Sequence, residues 1–209
     1  MSRTEVQERI LNTAVVLFAE KGYDAVSMDQ IAESIGMKGP NLYKYFKGKA
    51  EIYEELHRLS DEIYFQKMRM NKDSMIWIHN AEEFKTFCMS QINFTISNDQ
   101  TRCMRKLYCM DSFKSKELKR IATFHTFESI KEQYIYIFNK LVEYSEIEAT
   151  DTEMLSLQFF SPISMLIQIC DREPEKREEM IKTIEKYVDY FIDKTFKVKG
   201  EKGKNGSNL

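Results

Sequence analysis

Between Gly36 and Lys49 the chain carries Lys38, Lys44, Lys47 and Lys49 and no acidic residue, with Tyr43 and Tyr45 set among them. This cationic segment lies inside a chain whose formal net charge is −2. Lysine ammonium groups and tyrosine hydroxyls are suitable ligands for phosphate oxygens, and contacts of that kind fix a protein's register on a duplex. Asn41 could pair bidentately with adenine, and Lys38 or Lys44 with guanine; the residues leave that assignment open. The chemistry is therefore nucleic-acid binding through a local patch, since the whole chain is no polycation. Taken alone, such lysines could equally be one solvated helix face.

Other chemistries find no support in the spacing. His57, His79 and His125 are scattered along the chain. Cys103 and Cys109 are not at zinc-ligand spacing, and neither they nor Cys88 and Cys170 form a C-x-x-C pair. Reduced thiols are expected rather than a disulfide framework. There is no glycine-rich phosphate loop after a strand and no nucleophile elbow. No cofactor, no metal and no enzymatic activity are expected.

The elements that must position the cationic segment are short. Residues 4–21 repeat at three and four (Val6, Ile10, Thr13/Ala14, Leu17/Phe18), which predicts a helix stopped at Gly22 by a left-handed cap. Ser27 followed by Gln30 is a capping box that starts a second helix, ended by Gly36. The third begins near Lys38 with Pro40 in its first turn, where a missing amide hydrogen does no harm. Leu42 and Phe46, at i and i+4, point inward; Tyr43, Lys44 and Tyr45 cannot all share that face, so most of them look outward. This is the layout of a helix-turn-helix.

Behind it the sequence reads as helices at about 49–70, 81–97, 99–112, 115–146, 151–171 and 174–196. Thr150 and Glu153 suggest a second capping box, Pro162 should kink its helix, and Pro174 should open the last one. Only three prolines are present, and three of the seven glycines (Gly200, Gly203, Gly206) fall in the final ten residues, so long helices are favoured over strands. The expectation is an all-α fold of about nine helices: a helix-turn-helix head over 1–48, a helical bundle for ligand binding and dimerisation over 49–196, and a disordered tail over 197–209. The start of the chain lacks an apolar signal core, and no stretch approaches the roughly 18 apolar residues of a membrane span, so a cytoplasmic protein with no membrane partner is expected.

Three stretches then carry a resemblance: Ile10 to Tyr23 (ILNTAVVLFAEKGY), Ser27 to Gly36 (SMDQIAESIG) and Asn41 to Lys49 (NLYKYFKGK). In order and spacing this part of the chain resembles the signature of the tetracycline-repressor (TetR) family. The resemblance implies nine or ten helices, a homodimer formed by the last two long ones (about 151–171 and 174–196), and a small molecule bound in the body that lowers DNA affinity. It implies that Ser27 and Met28 lie near a phosphate, that Lys38, Gly39, Pro40 and Asn41 form the tip of the recognition helix, that Tyr43 and Lys44 follow, and that Lys49 meets the DNA backbone. Lys38, the Pro40-Asn41 pair and Ala50 depart from the residues frequent at those positions, which bears on the operator sequence.

The body is rich in aromatic residues and methionine. Most of these side chains must be core, but some would line a pocket for a hydrophobic or aromatic effector. The candidates are Trp77, Met104, Tyr108, Phe124, His125 and Phe159. The function expected is a ligand-responsive repressor binding a pseudo-palindromic duplex. An activator, a ligand-independent regulator of the same fold and, from another class, a helical protein-interaction adaptor are the alternatives.

Overall fold

The structure is a computed structural model that describes residues 3–74 and 78–197, the side chains of 64–74 excepted. The described elements are helical: α1 (Glu5–Lys21), α2 (Met28–Ser34), α3 (Gly39–Leu42), α4 (Lys49–Ser74), α5 (Ala81–Ser97), α6 (Asp99–Asp111), α7 (Lys116–Thr123), α8 (Ser129–Glu143), α9 (Thr152–Arg172) and α10 (Arg177–Thr195). A π turn, Phe124–Glu128, joins α7 to α8 without a break. The single helix expected over 115–146 is thus one helical run with a wide turn inside it, a feature that hydrophobic spacing does not encode. Counting that run once, the described residues hold nine helices. The expected tail lies outside the described residues, apart from Lys197.

Local chemistry sets the helix ends. Thr4 caps α1, exchanging bonds with Gln7. Gly22 closes it at φ 84 and ψ 150, donating to Phe18. The sign of φ is as expected, but this ψ lies outside the left-handed helical well, in a region open essentially to glycine alone. Ser27 and Gln30 form the expected capping box on α2. Its far end is a Schellman motif: Met37 donates to the Ala32 carbonyl and Gly36, at φ +70, to that of Glu33. The cap of α9 is Asp151, one residue later than expected, and it accepts from Met154. Glu153 instead reaches Lys131 at 2.8 Å. Pro174 opens a short 3-10 turn ahead of α10 rather than α10 itself.

The chain divides into two compact units, residues 1–73 with 94–129, and residues 74–93 with 130–209. In the first, Ile10, Leu11, Ala14 and Phe18 of α1, Ile31 of α2, Leu42 of α3 and Ile52 and Leu56 of α4 share one core with Met104, Leu107 and Tyr108 of α6. The division by packing therefore falls elsewhere than position 48, because α1 is covered by α6. Arg3 ties the start of α1 to α4, at 2.7 Å from Glu55 and 2.8 Å from Glu62.

The second unit is organised by rings. Phe84, Phe138 and Phe159 are fully buried, and Tyr134, Phe191 and Phe196 pack against them with centroids 4.7–6.1 Å apart. In α9, Pro162 withholds the amide hydrogen that would have bonded the Gln158 carbonyl four residues earlier. The Tyr187 hydroxyl of α10 donates to that carbonyl instead. α9 is long and apolar enough to cross a membrane by length and composition only; its buried side (Phe159, Phe160, Ile163, Ile167) is core of this unit.

Candidate nucleic-acid interface

The α2–α3 pair is built around a rigid inner face. Ile31 and Leu42 are fully buried and Phe46 nearly so. With that face anchored, the opposite one must meet solvent, and Lys38, Pro40, Asn41, Tyr43 and Lys44 are all exposed. Tyr43 keeps 53% of its surface. Gly39 starts α3 beside Asp29: a Cβ there would sit 2.0 Å from the Asp29 carboxylate oxygen, so a side chain would force Asp29 to swing aside. Ser27 is exposed at the start of α2, its hydroxyl accepting from the Gln30 amide. Lys38, Asn41, Tyr43 and Lys44 are exposed along a segment that itself carries no acid, at the scale of a recognition helix in a major groove.

Two of the expected contact residues are placed differently. The Met28 side chain is buried in the core. Lys49 is half-buried and its ammonium donates to the Tyr23 carbonyl at 2.7 Å and the Asp24 carbonyl at 3.4 Å. The same group lies 4.3 Å over the Tyr23 ring. Lys49 thus fastens the start of α4 to the α1–α2 loop, spending most of its donors inside the protein. Glu51 further secures this corner by accepting from the Lys47 amide.

Of the six proposed effector residues, Met104, Tyr108, Phe124 and His125 belong to the first unit and Phe159 to the second. Trp77 lies outside the described residues. Phe159 is at the centre of the ring core of the second unit. Met104 is buried in the shared core of the first. Tyr108, His125 and Phe124 do meet: Tyr108 and His125 stack at 4.9 Å and 6°, and Phe124 meets His125 edge-on at 5.2 Å. This seam also holds groups that sequence spacing did not connect. His57 lies against both Tyr53 (4.6 Å) and Tyr108 (5.6 Å), Asp61 contacts His125 at 2.8 Å, and Tyr53 donates to Asp111. The histidines are scattered in sequence, yet two of three share one seam. Tyr53, His57 and Asp61 recur at four along α4, which is the signal that could have shown them on one face. Burial raises the Tyr53 and Tyr108 hydroxyls well above the ordinary phenol value, and the bond to Asp111 adds to the first. Among the described residues no three His, Cys, Asp or Glu side chains are grouped as a metal site.

Residues 10–56 match the family described as bacterial regulatory proteins, tetR family. The helix order just described is the one that signature implies. The head therefore resembles the DNA-binding head of the TetR family, and the body lies outside that match. Its head is similar to that of the negative transcriptional regulator IcaR of the biofilm operon icaADBC of Staphylococcus aureus, 42% identical over 50 residues. The Staphylococcus epidermidis protein is 38% identical over 50 residues. Each match spans 24% of this chain and 27% of the relative.

Solved structures agree over far more of the chain. SmeT of Stenotrophomonas maltophilia, in complex with triclosan, superposes with a TM-score of 0.71 at 13% identity, over 98% of this chain and all (100%) of that one. A Saccharomonospora viridis protein in complex with choline gives 0.69 at 15%, covering 94% and 100%. The fatty acid degradation regulator FadR of Bacillus halodurans gives 0.68 at 14%, covering 92% and 97%. At these identities the agreement is one of fold.

Proposed function

We propose that this chain is a homodimeric repressor of the TetR family acting in the cytoplasm, released from a pseudo-palindromic operator by a small hydrophobic or aromatic effector. The observation that carries the DNA reading is the contrast across α3: Leu42 fully buried, and Lys38, Asn41, Tyr43 and Lys44 exposed with no acid among them. Lys38, Tyr43 and Lys44 contact phosphates or base edges, Pro40 and Asn41 reach the groove floor, and Ser27 and the Gly39 backbone approach the flanking strand. The repressor sense is supported by the likeness of the head to IcaR, whose name records negative regulation. The effector is supported by the ligands in the SmeT and Saccharomonospora viridis structures.

The dimer reading has support in α9. Met154, Gln158, Ser161, Met165 and Gln168 are exposed and recur at four and three along one uncharged stripe, with Met165 59% exposed. Tyr190, 61% exposed, is the large apolar side chain that α10 leaves to solvent. A helix face of that kind, in a chain with 31% charged residues, suits a second copy. Two heads on a two-fold axis then read half-sites about 34–36 Å apart. An effector acts by favouring the dimer state whose heads do not fit that spacing, which requires differential affinity for the two states.

The experiment is binding to a duplex from the chain's own upstream region, repeated across a compound library. Release by a hydrophobic compound is expected; unchanged affinity across the library contradicts the effector part. Sedimentation of Met165→Glu as a monomer is expected; an unaltered dimer contradicts the α9 interface.

A further inference from the structure

The first unit contains a device that DNA binding does not use. On α4, Tyr53, His57 and Asp61 face Tyr108 and Asp111 of α6 and His125 of the π turn. Both ring nitrogens of His57 are buried, and among the described residues neither has a hydrogen-bond partner. A neutral imidazole carries one donor and one acceptor; a protonated one carries two donors and a charge. Among the described residues no acceptor bonds either nitrogen. Only 8% of the His125 side chain is exposed, and its Nε2 lies 2.8 Å from Asp61.

We propose that His57 and His125, both packed against the Tyr108 ring, form a proton-operated latch that holds α4 against α6 and the π turn and opens on acidification.

The order of events follows from the neighbours. His125 faces Asp61 and accepts the first proton, which strengthens that pair. The second proton must go to His57, where it meets the positive charge of His125. The carboxylates that favour it are Asp61, Asp111 and Glu117. Asp111 is already engaged by Tyr53 and by Lys114 at 2.7 Å. Burial holds both imidazoles below the ordinary value of 6.5, His57 further opposed by His125 and His125 partly restored by Asp61. A separated or unfolded seam titrates near that ordinary value and takes up protons first. The closed seam is therefore most stable above pH 6.5 and loses stability as pH falls through that value toward the lowered ones. The π turn is what presents His125 to this seam, and such turns are common where helices do more than pack. Because α4 begins at the Lys49 anchor and α6 covers α1, opening the seam loosens the support of the head; that consequence alone rests on the proposed DNA reading.

The test needs no DNA. The chain has three histidines, so between pH 7.5 and 5.5 they dominate titration. Urea unfolding of the full chain is compared for wild type, His57→Gln, His125→Gln and the exposed control His79→Gln. Each proton taken up only by the open form changes the unfolding constant by up to tenfold per pH unit. The wild-type constant is expected to rise by more than tenfold across this range and by about tenfold less in His57→Gln, with His79→Gln like wild type. Equal pH profiles for wild type and His57→Gln overturn the latch. If His57→Gln does not fold, proton NMR of the wild-type imidazoles decides, assigned with His79→Gln and His125→Gln. A His57 resonance titrating below 6.5 supports the proposal; one titrating at or above that value overturns it.

Discussion

The two units bury aromatic rings in different company. In the second, Phe84, Phe138, Phe159 and Phe191 meet each other and Tyr134, whose buried hydroxyl is paired with Cys88. In the first, Tyr23, Tyr53, Tyr108, His57 and His125 form a chain of rings threaded by Asp61 and Asp111. An apolar ring cluster has one well-packed state and no reason to leave it. A cluster of titratable rings changes its charge within the physiological range and so has two. One region holds the fold, and the other is where a head could be released.

That contrast sets the predicted effects. Phe159→Ala empties the centre of the apolar cluster and should lower unfolding free energy by about 3–5 kcal/mol in urea, by the same amount at pH 7.5 and 5.5. A pH-dependent loss would break the comparison. Tyr53→Phe removes the donor to Asp111 but leaves Lys114, and should cost about 1–3 kcal/mol, read the same way. Lys49→Ala should cost about 1 kcal/mol of stability through the lost carbonyl bonds and ring contact, while changing the salt dependence of DNA binding little. A large change in salt dependence with stability intact would return Lys49 to the DNA surface. Ser145 adopts φ 62 at the end of α8, where glycine is favoured, so Ser145→Gly should stabilise by about 1 kcal/mol in thermal unfolding.

The head was legible because its information is local. Ser27, Gln30, Gly36 and Pro40 act within a few residues of themselves, and the spacing of Leu42 and Phe46 fixes which face is outward. Helices α4, α5, α6, α9 and α10 followed from apolar spacing to within a few residues at their ends. What was not legible is tertiary. Nothing near Met104 or Tyr108 in sequence says that α6 covers α1, so both were candidate effector residues rather than core. The π turn at Phe124–Glu128 adds one residue to a helical turn without a glycine or proline to mark it. Lys49 looked like its neighbours in a run of lysines; only the fold brings the Tyr23 and Asp24 carbonyls to it. The seam joins Asp61 to His125 across 64 positions, and no spacing rule spans that distance.

The central claim is that the outward face of α3 grips DNA, and a salt series tests it most directly. The purified chain is titrated against an upstream duplex and a scrambled one, alongside Lys38→Ala and Lys44→Ala. The account predicts tighter binding to the upstream duplex by about 10³ or more, falling steeply with salt. It also predicts that each lysine removed from a phosphate contact lowers the slope of log affinity against log salt by about 0.9. No binding at low salt, or slopes identical in wild type and both variants, would contradict it.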